Sequence, residues 1–377
     1  MIYLDNAATT PVPRPVADAM YQVLTEQFGN PSSQYPMGVE MKAAVERWRA
    51  VIAGALGCKA EQLYFTSCGT ESDNWAIQAA LWQNRHRGKH IITTAVEHSA
   101  VLEPCKWLAQ QGYEITCLKP GRDGNITVEQ VAAALREDTA LVSMMLVNNE
   151  TGCLFPVRET AALLREKGSP ALLHCDAVQG FMKVDCDPEG WGVDMMSLSA
   201  HKLGGPKGIG ALYIGGRMRS PRPLLPGGGQ ERGLRSGTEA TAQIAGFAKA
   251  VELRQEHYEE KLAHMAALKE YCRAKLLDMG GVVPVGSGTA PHILAVSLVG
   301  YPSGNIVTEL GAQGICISAG SACHQGKASH VVSALGLDKK TAAGVIRISF
   351  SPDNTNEDVD ALCAALKAHR DSRFPML

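Results

Sequence analysis

The sequence predicts an α/β protein: a large domain built on a mostly parallel sheet sandwiched by helices, followed by a smaller α/β C-terminal domain. Three observations predict it. Apolar strand-like runs alternate with helical patterns through the first two thirds of the chain, the alternation breaks near Thr241, and 377 residues exceed what one ordinary core encloses. The alternation begins with "QLYFT" before a helical pattern over Glu71 to Asn84, and continues with "HIITTAVE" before Ser99 to Gln111. It goes on with "YEITCLK" before Val128 to Glu137, "TALVSMMLV" before Pro156 to Lys167, and then "ALLHCDA". Such βα units put helices on both faces of a sheet, so its strands read as continuous apolar runs. From Thr241 a long helical pattern runs to Met279, and the strands "ILAVSLVG" and "VIRISF" and a last helix form the smaller domain. The Pro/Gly-rich "SPRPLLPGGGQERG" reads as a long loop with a functional purpose.

Composition narrows the function. Apolar residues make up 45% and charged residues 20%, which is a globular balance. The 36 basic and 38 acidic residues give no bias toward nucleic acid or an anionic membrane surface. The N-terminus "MIYLDNAATTPVP" has neither the basic nor the apolar region of a secretory signal, and no apolar run is long enough to span a bilayer. These features predict a cytoplasmic protein that acts on small molecules. The eleven cysteines include no CxxC pair, so neither a metal site nor a disulfide framework is indicated.

In a doubly wound sheet the ligand lies at the carboxyl ends of the strands, and the polar residues of this chain gather there. "FTSCGTES" sets Gly69 and Thr70 at the start of a helix, where free N–H groups and the helix dipole favour a phosphate. "VEHSA", "VNNETG" and "HCDAVQ" set His98, Asn149, and Asp176 with Gln179 at three further strand ends. Each alone reads equally well as a cap or a turn residue. Two other motifs carry nothing: "GIG" in "GPKGIGALYI" precedes a strand where a dinucleotide fingerprint needs a helix, and the GK pairs at Gly88 and Gly326 lack the rest of a P-loop.

"SLSAHKLGGPKGIG" places Lys202 at the end of an apolar strand, an unusual position for a residue that normally seeks solvent. A lysine amine, an aspartate, a histidine and a phosphate cradle together meet the needs of pyridoxal phosphate. The amine binds the aldehyde as a Schiff base and the carboxylate keeps the pyridine nitrogen protonated.

With these residues in view, the chain resembles the cysteine desulfurases of the class V aminotransferase group, of the nitrogen-fixation and iron–sulfur type. The resemblance rests on "LDNAATT", "FGNPSS", "FTSCGTESDN", "VEHSAVL", "NNETG", "DAVQ", "SAHKLGGPKGIGALY", "GGGQERGLRSGTE" and "SAGSAC", and covers nearly the whole chain. It implies the fold type I of pyridoxal-phosphate-dependent transferases, with a large cofactor-binding domain over 13–246 and a small domain over 1–12 and 247–377 that carries a catalytic cysteine loop. It further implies that Lys202 binds the cofactor covalently, Asp176 partners the pyridine nitrogen, Gln179 partners the phenolate oxygen and His98 stacks on the ring. Gly69, Thr70, Ser199 and His201 become phosphate ligands, Asn149 lines the cofactor and substrate site, and Thr238 reaches the phosphate of a neighbouring subunit, which makes the protein a homodimer.

By the same resemblance, Arg347 in "VIRISF" holds the substrate carboxylate through its two-pronged fork, and Cys323 in "SAGSACHQGKASH" takes sulfur from L-cysteine as a persulfide. A small polar loop with His324 and Lys327 nearby favours the thiolate that this role needs. The implied activity yields L-alanine and passes sulfur to an acceptor or scaffold protein for iron–sulfur or thio-cofactor assembly. A selenocysteine lyase or another β-eliminating enzyme of the same fold is the alternative, with Cys323 the residue that separates them. A non-catalytic adaptor or sulfur carrier would have no reason to retain Lys202, Asp176 and Arg347 together. Two departures from the family pattern stand out: the loop after Cys323 is shorter, and Ala200 replaces the glycine common before the His-Lys pair.

Overall fold

The computed structural model describes residues 1–320 and 329–375. The chain opens with a short strand, β1 (Ile2–Tyr3), then two helices, Arg14–Thr25 and Pro36–Leu56, before the alternation begins. The strands that follow are β2 (Leu63–Thr66), β3 (His90–Thr94), β4 (Glu114–Leu118), β5 (Thr139–Met145), β6 (Leu172–Asp176), β7 (Met195–Ser199) and β8 (Gly210–Ile214). These seven form one sheet in the order β2-β8-β7-β6-β5-β3-β4. β8 runs antiparallel to both of its neighbours, and the other pairs are parallel. Every residue of β5, β6, β7 and β8 is buried, because helices cover both faces. β4, at one edge, shows more of itself to solvent.

A second sheet is formed by β9 (Val282–Pro284), β10 (Ile293–Leu298), β12 (Ser318–Ala319) and β13 (Val345–Ser349), in the order β12-β13-β10-β9. The intervening β11 (Ile315–Cys316) pairs in parallel with β1, so the first residues of the chain lie beside the second sheet. Leu4 accordingly packs in one apolar cluster with residues such as Leu268, Leu276, Ile348 and Leu366.

The helical pattern after Thr241 is divided in the structure. A helix over Thr241–Gln255 belongs to the core of the large sheet through Ile244, Phe247 and Val251. A second over Tyr258–Asp278 joins the cluster of the small sheet through Met265, Leu268 and Cys272. The break falls at Glu256 and His257, where His257 adopts a left-handed conformation with φ 52°. Neither residue is a proline or glycine, and nothing in their helix propensity announces the turn. Packing against two different sheets decides it.

Candidate active site

Five strand ends of the large sheet supply the walls of one cavity of about 350 Å³. Cys68, Gly69 and Thr70 follow β2, His98 follows β3, Asn149 follows β5, Asp176 to Gln179 close β6, and Ser199, His201 and Lys202 close β7. Arg347 enters from β13 of the second sheet, and the carbonyls of Ala7 and Ala8 come from the N-terminal segment. Ten of the residues singled out in the sequence thus share one cavity. Thr238 lies apart, beside a separate hollow of about 190 Å³ lined also by Ser67, Gly208, Arg235 and Gly237. Cys323 falls outside the described residues.

One end of the cavity is built for an anion. Helix Gly69–Gln83 starts there, and Cys68 at its N-cap offers no side-chain acceptor, so the first N–H groups face the cavity without an intrahelical partner. Gly69 is confined as well: a Cβ at that position would meet Val178 Cγ2 at 2.7 Å. Across from it the Ser199 hydroxyl is buried with no partner among the described residues. The carboxylate of Glu71, which would repel an anion from the first turn, is turned away to Arg235 at 2.8 Å.

Lys202 follows β7 through a single turn over Ala200–Lys202, which aims its amine across the cavity floor. Nζ donates to the carbonyls of Ala7 at 2.7 Å and Ala8 at 2.8 Å. Burial, with the Arg347 charge adding to it, pushes the Lys202 pKa down to about 8, so about a tenth is free amine at pH 7, far more than for an ordinary lysine. His201 beside it bonds Thr9 Oγ1 at 3.1 Å, and burial lowers its pKa to about 4, which keeps the ring neutral.

Asp176 sits at the opposite floor, where burial and then the Asp73 carboxylate push its pKa up to about 7. Its Oδ1 accepts from Val178 N at 2.9 Å. A cationic ring nitrogen placed against it would reverse that shift, since an opposite charge favours the carboxylate. His98 caps helix Ser99–Gln110, Nδ1 accepting from Ala100 N at 3.1 Å. An accepting Nδ1 fixes the neutral ring with its proton on Nε2, in keeping with a pKa that burial lowers despite Asp176. The cap reading and the ligand reading of His98 therefore coexist, the cap fixing where the ring stands.

Arg347 is held by three neighbours. Nη2 donates to Asp5 Oδ1 at 2.7 Å and Ser318 Oγ at 2.9 Å, and Nη1 donates to the Asn149 carbonyl at 2.9 Å; Asp5 in turn accepts from Ser318 at 2.8 Å. Nε–H has no partner among the described residues. A guanidinium so fixed, with a donor to spare, can take a carboxylate in the cavity.

An amine that titrates near neutrality, an anion cradle, a floor carboxylate and a carboxylate-binding arginine are what an aldehyde-bearing pyridine phosphate and an amino-acid substrate require. The residues present fit such a cofactor. The aminotransferase class-V model matches residues 2–362. The chain belongs to the aminotransferase class-V family. Among the family's curated members, "Cysteine desulfurase IscS" of Methanosarcina thermophila is 41% identical over 363 residues, 95% of this chain and 89% of that protein. A solved structure described as a NifS-like protein superposes with a TM-score of 0.92 at 36% identity, covering 98% of this chain and 99% of that one. A structure described as SspA in complex with cysteine superposes at 0.81 with 33% identity, over 94% of this chain and all of the other.

For this class-V chain, several site residues escaped the sequence reading. Asp73, only 1% exposed, lines the cavity 3.5 Å from His174 Nε2, and burial pushes its carboxyl up to about 7. His174 bridges Ser143 and Ser197 at 2.9 Å each beneath the floor. Asp73 stands inside "FTSCGTESDN", four residues past Gly69, one helical turn on and so on the same face. That spacing was the available signal. Asp5 and the Ala7 and Ala8 carbonyls carried none, because only the fold brings the N-terminus to β7.

Proposed function

We propose that this protein is a pyridoxal-phosphate-dependent cysteine desulfurase that converts L-cysteine to L-alanine and supplies the sulfur for iron–sulfur cluster or thio-cofactor assembly. The observation that carries the reading is the meeting of Lys202, Asp176, His98 and Arg347 in one cavity. Pyridoxal phosphate, when bound, supplies the electron sink conjugated to the substrate α-carbon. Gly69, Thr70, Ser199 and His201 would hold its phosphate, and Lys202 would be its covalent anchor. Asp176 would keep its ring nitrogen protonated, Gln179 would partner its phenolate oxygen and His98 would pack against its ring.

Arg347 grips the substrate carboxylate beside Asn149 and so fixes which bond of the α-carbon is aligned for cleavage. Lys202, with a pKa near 8, can both take and return a proton at that carbon. The Cys323 thiolate attacks the substrate sulfur: an S–S bond forms, the C–S bond breaks, and a proton completes the methyl group of alanine. L-Cysteine and one thiol thus give L-alanine and one persulfide, with atoms and electrons balanced.

Thr238 lines a hollow apart from the cavity of its own chain, which supports a role at the phosphate of a second copy and hence a homodimer. The domain division at 13–246 against 1–12 with 247–377 belongs to this reading, with its boundary inside the helix Thr241–Gln255 that packs on the large sheet. So does a cytoplasmic setting; among the described residues no helix is long and apolar enough to cross a membrane. The sulfur acceptor is read as a separate protein.

The test is a paired one. After treatment with L-cysteine and proteolysis, mass spectrometry should place an added sulfur on the peptide containing Cys323, alongside alanine in solution. Cys323→Ala should bind cofactor and substrate yet release almost no sulfur. An added mass on another cysteine, or parent-rate desulfuration by Cys323→Ala, would leave the simple lyase reading in its place.

A further inference from the structure

Behind Gln179, and not among the residues that line the cavity, stands a lysine that the reaction above does not use. Lys183 ends the turn that follows β6, in which Gly180 N and Phe181 N bond the Ala177 carbonyl and Lys183 N bonds the Gly180 carbonyl. Met182, just before it, takes a left-handed conformation with φ 59°. The turn folds the lysine back beneath Gln179, and it is 3% exposed. Nζ donates to Gln179 Oε1 at 3.3 Å, its one hydrogen bond among the described residues. No carboxylate pairs with it among those residues; burial and the charges of Arg254, Lys202 and Arg347 all disfavour its ammonium. A buried amine kept without an acid is costly to a fold, so its single contact is the place to look for its use.

That contact and the Ala7 carbonyl orient the Gln179 amide from its two edges. A glutamine amide has an accepting and a donating edge of nearly equal shape, and half a turn exchanges them. As ammonium or as free amine Lys183 presents N–H donors, and here Nζ donates to Oε1. Nε2 is then directed to the cavity side, where it donates to the Ala7 carbonyl at 2.8 Å, the same carbonyl that Lys202 Nζ contacts at 2.7 Å. Ala7 alone would set the same orientation, but only while Nε2 is free to stay on it. Once Gln179 turns to a cofactor oxygen, the lysine is the remaining contact that determines which edge faces the site.

We propose that Lys183 is a positioning residue that acts through Gln179, locking its amide so that Nε2–H, and not Oε1, is presented to the cofactor's ring oxygen. The inference rests on the pyridoxal phosphate reading of the cavity. Without Lys183, Oε1 is left buried and unsatisfied, and half a turn of the amide would set oxygen against oxygen in the site.

The experiment is a double-mutant cycle on the full-length protein, read by the dissociation constant of pyridoxal phosphate and by the visible band of the loaded enzyme. Lys183→Met should weaken cofactor binding roughly tenfold and shift the band, since about one hydrogen bond to a charged or ionic group is misdirected. In a Gln179→Leu background the same change should have no further effect. Lys183→Arg, which keeps an N–H donor at the same side chain, should stay within about twofold of the parent, and this arm stands even if the methionine variant does not fold. Additive losses in the cycle, an unmoved band in Lys183→Met, or a tenfold loss in Lys183→Arg would each overturn the proposal. A parent protein that shows no visible band with the cofactor would instead sink the reading on which it rests.

Discussion

Replacing Arg49 by methionine should destabilise the protein by about 3 to 5 kcal/mol, the usual cost of stranding one member of a buried ion pair. Arg49 and Glu231 are 182 residues apart in sequence and 3% and 6% exposed. Two parallel bonds join them, Nη1 to Oε2 at 2.7 Å and Nη2 to Oε1 at 2.9 Å. Nη1 also donates to the Leu63 carbonyl at 3.0 Å, and the guanidinium lies 4.5 Å over the Phe65 ring. With Arg49 gone, the buried carboxylate keeps the Phe65 N–H at 2.8 Å and loses both charged bonds. Glu231 and Arg232 hold φ of 46° and 57°, a conformation costing roughly 1 to 3 kcal/mol per residue that persists only while its surroundings enforce it. Loop relaxation would therefore return part of the loss and move Thr238, six residues from Arg232. Urea unfolding of the cofactor-free protein at fixed concentration measures the effect through the midpoint and slope. The double variant Arg49→Met with Glu231→Leu should recover most of the stability, because no charge is then left unpaired. A single-variant loss below about 1 kcal/mol, or a double variant no better than the single, would refute the argument.

Two further outcomes follow from the site. Burial holds the Asp73 carboxyl at about 7, above its unfolded value, so the stability it contributes is complete at low pH and is lost as pH rises through about 7. Asp73→Asn should therefore raise the melting temperature of the cofactor-free protein above pH 7, the gain shrinking toward pH 4; a gain that does not vary with pH would show that Asp73 is not the titrating group. Arg347→Lys should raise the KM for L-cysteine roughly 10- to 100-fold while leaving cofactor affinity unchanged, because an ammonium cannot hold Asp5, Ser318, the Asn149 carbonyl and a carboxylate together. Cofactor titration beside steady-state kinetics separates the two effects.

The residues the sequence revealed are those whose chemistry is conspicuous where they stand: a lysine at a buried strand end, a glycine and threonine opening a helix, and polar groups closing one apolar run after another. Each sits within a few residues of the strand that positions it, so period and spacing sufficed to place Lys202, His98, Asp176 and Gly69 on one edge of one sheet. Length and alternation likewise fixed a mostly parallel sheet with helices on both faces. What remained hidden depends on contacts between distant segments. The break at His257 is set by which sheet each half of the helical pattern packs against, and local propensity is silent about that. Thr238 lies beside a hollow of its own, because the bend at Glu231 and Arg232 is held by an arginine from a helix near the start of the chain. Asp5, the Ala7 carbonyl and Lys183 look like an ordinary turn acid, a small residue and a surface lysine until β1 joins β11 and the turn after β6 closes. Sequence spacing encodes which groups share an element; burial and the direction of each hydrogen bond arise only when elements pack, and there the tertiary structure alone decides.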